Sequence, residues 1–158
     1  MKMNELMIYQ VFSLRALTDG KPSHGILEMI DWIPHIKKLG MNAVFSSSDH
    51  GYDTKDYQKI DERLGTNEDF KKMCDAMHEE GIQVILDGVF NHVGREFFAF
   101  EDVREKKWDS SYKDWFYIDF NGNNHYNDGF WYQDWEGNDI LVKLNLQNQE
   151  VVNYILSV

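Results

Sequence analysis

The segment Asp87-Gly88-Val89-Phe90-Asn91-His92 places a carboxylate, an amide and an imidazole within six residues, groups that can orient a ligand or hold a proton. It follows the mainly apolar run Ile82 to Leu86, so the three polar side chains stand where a buried strand meets a loop. In parallel α/β architectures such carboxyl ends open into the ligand crevice. Taken alone, Asp87 would equally well cap its loop through backbone amides, and a lone loop histidine is usually satisfied by its neighbours. The company of Asp87 and Asn91 favours a site at His92. A second polar loop, Ser46 to Asp53, follows the apolar run Met41 to Phe45 and brings Asp49 and Tyr52 to a similar position.

The elements that must position these loops are legible from periodicity. Met7 to Phe12 reads as a first buried strand. Ile26, Leu27, Ile30, Ile33, Ile36 and Leu39 recur at helical spacing, with Gly40 placed to stop the helix. Pro34 removes one amide donor and crowds the carbonyl of Ile30, which predicts a kink or two shorter pieces. Met41 to Phe45 is the second strand. Thr66 and Asp69 fit a capping box, Phe70, Met73, Cys74 and Met77 form the inner stripe of the next helix, and Gly81 ends it before a third strand, Ile82 to Phe90. This alternation implies parallel pairing with right-handed crossovers.

Beyond Val93 the rhythm breaks. Residues 94–140 show no sustained helical or alternating period, yet eleven of the 23 aromatic residues fall between Trp108 and Trp135. That density predicts an ordered, irregular or β-containing subdomain in which most rings form a private core and one or two face outward. Ile140 to Leu146 returns to strand. Asn148 caps a last helix with Val151, Val152 and Ile155 on one face, expected to run to the final residue.

Composition narrows the function classes. The 158 residues suffice for one ordinary domain. A formal charge of −11 disfavours nucleic acid and anionic membranes. The single cysteine, Cys74, excludes an internal disulfide and sits on an apolar stripe, as a core thiol does. The N-terminus carries no basic segment or cleavage signal and no run approaches the roughly 20 apolar residues of a membrane span, so a cytoplasmic protein is expected.

Several blocks together carry a resemblance: Met7-Ile8-Tyr9-Gln10-Val11-Phe12, Gly25 to Phe45, His50-Gly51-Tyr52-Asp53-Thr54-Lys55-Asp56-Tyr57 continuing through Ile60-Asp61-Glu62-Arg63-Leu64-Gly65-Thr66, Asp87 to His92, and Lys143-Leu144-Asn145. In this order they resemble the alpha-amylase family of glycoside hydrolases. Val142 stands where many relatives have proline. The resemblance implies an α/β fold, a partial (β/α)8 TIM barrel made of its first three β/α units plus an inserted aromatic-rich subdomain. Residues 1–93 would belong to the barrel, 94–145 to the insertion and 146–158 to the start of the third barrel helix. A complete barrel takes roughly 250 residues, and the family's nucleophilic aspartate, general-acid glutamate and transition-state-stabilising aspartate lie on later strands than those matched here.

By the same resemblance Asp87 supports the catalytic groups, His92 donates to a hydroxyl of the sugar at the cleavage point, Tyr52 stacks on a sugar ring, and Asp49 contacts a sugar hydroxyl, though by itself it reads somewhat better as a turn residue. Asn91 matches a position that some relatives use for calcium. Calcium takes six to eight oxygens, and Asp128, Asp134 and Asp139 are too scattered to define a cage. Asp53, Asp56, Asp61 and Arg63 would hold their loop by local bonds. The expected ligand is an alpha-glucan or maltooligosaccharide. The expected function is that of an alpha-amylase-like hydrolase fragment, with substrate-positioning residues but neither nucleophile nor acid, inactive by itself. The alternatives are a non-catalytic carbohydrate-binding module and a module self-associating through an exposed strand edge.

Overall fold

The computed structural model describes residues 5–19, 21, 23–47 and 52–158. The chain divides into two compact units, Met1–Gly51 with Lys59–Gly88 and Tyr52–Gln58 with Val89–Val158.

In the first unit β1 (Ile8–Phe12) leads into the short helix α1 (Ser13–Leu17). The predicted broken helix is present in pieces: a 3-10 turn at Gly25–Leu27, α2 (Glu28–Asp31) and α3 (Ile33–Lys38). The break falls at Trp32, and Pro34 sits in the first turn of α3, where its missing N–H costs nothing. Gly40 then adopts a φ of +76°, a left-handed stop that side chains resist. The second strand, β2 (Ala43–Ser47), starts two residues later than its apolar run. Helix α4 (Asn67–Glu79) opens on the Thr66–Asp69 capping box and is followed by β3 (Gln83–Leu86). All three strands pair in parallel, in the order β1-β2-β3, with Tyr9 beside Val44 and Val44 beside Val84. Ile26, Met29, Ile36, Met73, Met77 and Ile82 are fully buried and form the core. Cys74 is half-buried on this stripe, and burial raises its thiol, which suits a packing role.

The third strand ends at Leu86, not Phe90, because the ladder to β2 stops at the Ser46–Leu86 pair. Asp87 therefore stands directly after the strand.

The second unit begins with β4 (His92–Gly94) and contains a nine-residue helix, α5 (Phe98–Lys106), in the stretch that shows no sustained period in sequence. Two turns are enough to bury Ala99, Phe100 and Val103 but too short to produce a convincing repeat. Short 3-10 turns at Lys107–Asp109 and Lys113–Trp115 follow, then β5 (Ile118–Asp119), β6 (Trp131–Tyr132), β7 (Asp134–Trp135) and β8 (Asn138–Lys143). Antiparallel pairing gives a β4-β8-β7 sheet and a β5-β6 ribbon. The last helix, α6 (Gln149–Leu156), is capped by the Asn148 side chain as predicted but stops before the final residue, with Ser157 as its C-cap. Phe97, Phe100, Phe130, Val142 and Val151 are fully buried, and Trp115, Phe116 and Tyr132 nearly so, while Trp108, Tyr126 and Trp131 remain exposed. Among the described residues no helix is long and apolar enough to cross a membrane.

Candidate active site

His92 opens β4, opposite Lys143 of β8, and is buried to 4% exposure. A strand start normally points alternate residues to opposite faces, and here the Trp135 ring of β7 covers the imidazole, stacked at 5.7 Å and 28°. The Asn91 amide donates to His92 Nδ1 over 2.8 Å. A nitrogen that accepts carries no proton, so the imidazole proton resides on Nε2. That Nε2 is buried and has no hydrogen-bond partner among the described residues. Burial disfavours the imidazolium and lowers the His92 pKa below its usual value, while the Tyr52 main chain opposes this in part. Burial thus favours a neutral ring whose Nε2 lacks a hydrogen-bond partner among the described residues.

Tyr52 belongs to the same unit and is 42% exposed. The segment that carries it is held by Tyr57, whose hydroxyl donates to Val89 O at 2.6 Å and lies 3.3 Å from His92 O. Burial, with Tyr154 beside it, pushes the Tyr57 phenol well above its ordinary value, so it remains a donor. At Gly94 a Cβ would lie 2.5 Å from Asp53 O, so glycine permits the Tyr52 segment to lie against β4.

Asp87, in the first unit, is exposed at the carboxyl end of β3. Asp49 lies outside the described residues. Of the loop residues expected to act locally, three make such bonds: Arg63 donates to Asp61 through Nε at 2.8 Å, and Asp56 Oδ1 accepts from the Gln58 amide at 2.9 Å.

The carboxylates that calcium would need are scattered and already engaged. Among the described residues no three His, Cys, Asp or Glu side chains converge. Asp128 accepts from Arg95 and Asn124, Asp139 pairs with His125, and Asp134 accepts from the Gly137 amide, while Asn91 bonds His92 through its amide nitrogen.

Sequence reading missed Trp135 as the ring over His92 and Lys143 as its cross-strand partner. Trp135 was hidden among ten other rings of its segment. Lys143 was noticed in a motif, but only the antiparallel register of β8 reveals what it faces.

Three parallel strands connected through helices, with polar groups gathered at a strand end, define an α/β protein of the crevice-bearing kind. Within that class the chain belongs to the alpha-amylase family: the model of the alpha amylase catalytic domain matches residues 18–158. Neopullulanase 2 of Thermoactinomyces vulgaris is 39% identical over 142 residues, covering 73% of this chain and 24% of that protein. A cyclomaltodextrinase from a Bacillus species is 47% identical over 96 residues, covering 57% and 17%. Among solved structures, the ligand-free cyclic alpha-maltosyl-(1→6)-maltose hydrolase from Arthrobacter globiformis superposes with a TM-score of 0.84 at 33% identity, covering 96% of this chain and 40% of that one. The chain thus spans about a quarter or less of these curated relatives.

Proposed function

We propose that this chain supplies the first three β/α units of a TIM-barrel glycoside hydrolase acting on maltodextrins or related alpha-glucans, together with an insertion after the third strand. In this reading Tyr52 stacks on the apolar face of a sugar ring, His92 donates to a sugar hydroxyl, Asp49 contacts substrate hydroxyls, and Asp87 steadies the catalytic groups. Retaining cleavage needs a nucleophilic carboxylate and an acid roughly 5–5.5 Å apart, and this reading draws both from later strands of the family's barrel. The observation that carries it is the buried imidazole of His92, whose Nε2 has no hydrogen-bond partner among the described residues and whose ring lies near the Tyr52 main chain. An unpaired buried donor costs about 1–3 kcal/mol, a cost that a sugar hydroxyl would remove on binding. The neutral imidazole suits this task because a neutral hydroxyl is its target.

Incubating the purified 158-residue chain with maltooligosaccharides and assaying reducing ends tests the reading. No release is expected from the chain alone; measurable release would contradict the assignment of nucleophile and acid to later strands. The exposure of Tyr52, in the same unit as His92, also favours a second reading, a module that holds glucans without cutting them. Calorimetry that records no heat at millimolar maltooligosaccharide would remove that second reading.

A further inference from the structure

Trp135 reaches His92 through an irregularity in its strand. Asp134 of β7 lies opposite Val142 of β8, so an unbroken ladder would set Trp135 opposite Leu141; instead it pairs with Asn138. Such breaks in register re-aim a side chain, and they collect beside functional sites. The turn that follows is tight, with Glu136 at a φ of +53° and Gly137 at +79°, and the Gly137 amide donates to Asp134 Oδ1 at 2.9 Å. Two left-handed residues in succession are what a two-residue hairpin demands, and Glu136 adopts that conformation although it carries a side chain. The hairpin thus fixes where the indole starts, and the indole lies stacked on the imidazole.

The imidazole needs such a reference. Its second torsion is intrinsically broad, and its one side-chain hydrogen-bond partner among the described residues is Asn91, the preceding residue, which travels on the same segment. That bond selects the nitrogen that accepts, but it does not fix the ring plane against the sheet. Lys143, the cross-strand partner of His92, is engaged elsewhere, with its ammonium 5.6 Å from the Tyr117 ring centre. The Tyr52 main chain also lies near the ring, but Tyr52 itself stands in a turn. Trp135 arrives on a paired strand and covers a whole face.

We propose that Trp135 is a positioning residue: it acts through His92, holding the plane of the imidazole against the sheet and keeping water from one face, so that Nε2 keeps a single direction. The coupling of the two rings stands on geometry alone; that Nε2 is oriented for a sugar hydroxyl rests on the function proposed above.

NMR spectra of the His92 ring nitrogens, recorded without ligand, and maltose titration of the same ¹⁵N-labelled samples test it. The natural protein is expected to show a ring N–H protected from exchange with water. Trp135→Ala should let the ring reorient and broaden that signal beyond detection, and should weaken maltose binding about threefold to tenfold, the worth of one stacked aromatic pair. Trp135→Phe should restore both, because a phenyl face can still cover the imidazole. Trp135→Leu keeps apolar bulk without a ring face; it should behave as Trp135→Ala, and it decides the matter if circular dichroism shows the alanine variant to be misfolded. A ring N–H in rapid exchange in the natural protein, or one unaltered in Trp135→Leu, would overturn the proposal. Weaker maltose binding with an unaltered ring signal would overturn it too, because Trp135 would then meet the sugar directly. No maltose response in any form, with the ring signals changing as expected, would overturn the proposed function and uphold the coupling of Trp135 to His92.

Discussion

Asn91 and His92, neighbours in the chain, also bond side chain to side chain: the Asn91 amide donates to His92 Nδ1 at 2.8 Å and thereby assigns the ring proton to Nε2. One amide so decides whether the buried face of the imidazole is a donor or an acceptor. A peptide unit away, Leu144 donates to Asn91 O at 3.0 Å, tying this residue to the strand that carries Lys143.

Asn91→Asp replaces the donor with an anionic acceptor. The carboxylate then favours a proton on Nδ1 and stabilises the imidazolium, so the His92 pKa is expected to rise above that of the natural protein, in which burial holds it low and the Tyr52 main chain only partly compensates. NMR titration of the ring nitrogens reads both tautomer and midpoint. An unchanged midpoint would show that Asn91 does not set the state of the ring. The sign for stability follows from linkage. As pH falls through the unfolded value of about 6.5 the unfolded chain binds a proton that folded His92 refuses, so natural-protein stability declines below that pH and less so in the variant.

Local signals with a physical cause were legible in sequence. Thr66 and Asp69 announced a capping box, Gly40 and Gly81 announced helix ends, and Pro34 announced a break, because each depends on a few neighbouring residues. Asp87 was correctly placed at a strand end, although β3 stops at Leu86. Helix α5 was not legible, since its inward positions Ala99, Phe100 and Val103 span barely more than one turn. The stacking of Trp135 on His92 and the pairing of Arg95 with Asp128 join residues more than thirty positions apart, and a single sequence carries no local trace of either.

Thr66 and Asp69 support a pH-dependent prediction. Hydrogen bonds from His24 and then Thr66 hold the Asp69 carboxyl at about 2, below the usual 3.8. This contribution is complete above the unfolded value and is lost as pH falls from about 3.8 through about 2. Thr66→Ala should cost about 1 kcal/mol near neutral pH through the lost cap, and should move the acid end of the window upward because the hydroxyl bond is lost while the His24 bond and the residue-66 backbone N–H remain. Urea unfolding across this range checks both; an unshifted acid limb would separate Thr66 from the Asp69 titration.

Gly94→Ala sets a test of close backbone approach. Its Cβ would meet Asp53 O at 2.5 Å and Asp53 C at 2.9 Å, and both are backbone atoms that cannot rotate away. A cost of about 1–3 kcal/mol is expected, the range of overpacking. Gly137→Ala has open space but a φ of +79°, so only conformational strain of about 1 kcal/mol applies. Thermal melts should therefore rank Gly94→Ala below Gly137→Ala, and the reverse order would mean that the Tyr52 segment yields freely.

Arg95 and Asp128 are both largely buried, at 12% and 8% side-chain exposure. Burial raises the Asp128 carboxyl, but the Arg95 and Asn124 donors outweigh it and hold the group below its ordinary value. The Arg95 guanidinium also lies 3.7 Å from the Tyr126 ring centre, so it is packed as well as paired. Arg95→Met keeps much of the volume but strands a buried carboxylate, which should cost about 3–5 kcal/mol. Adding Asp128→Leu removes the stranded charge and should recover a large part of that loss, since a buried pair replaced by apolar groups is often near neutral. Denaturant melts of the two single variants and the double variant give the coupling directly. Simple additivity of the two losses would show that the pair does not act as a unit, and that the loop around Asn124 and Asp128 is held by its other hydrogen bonds.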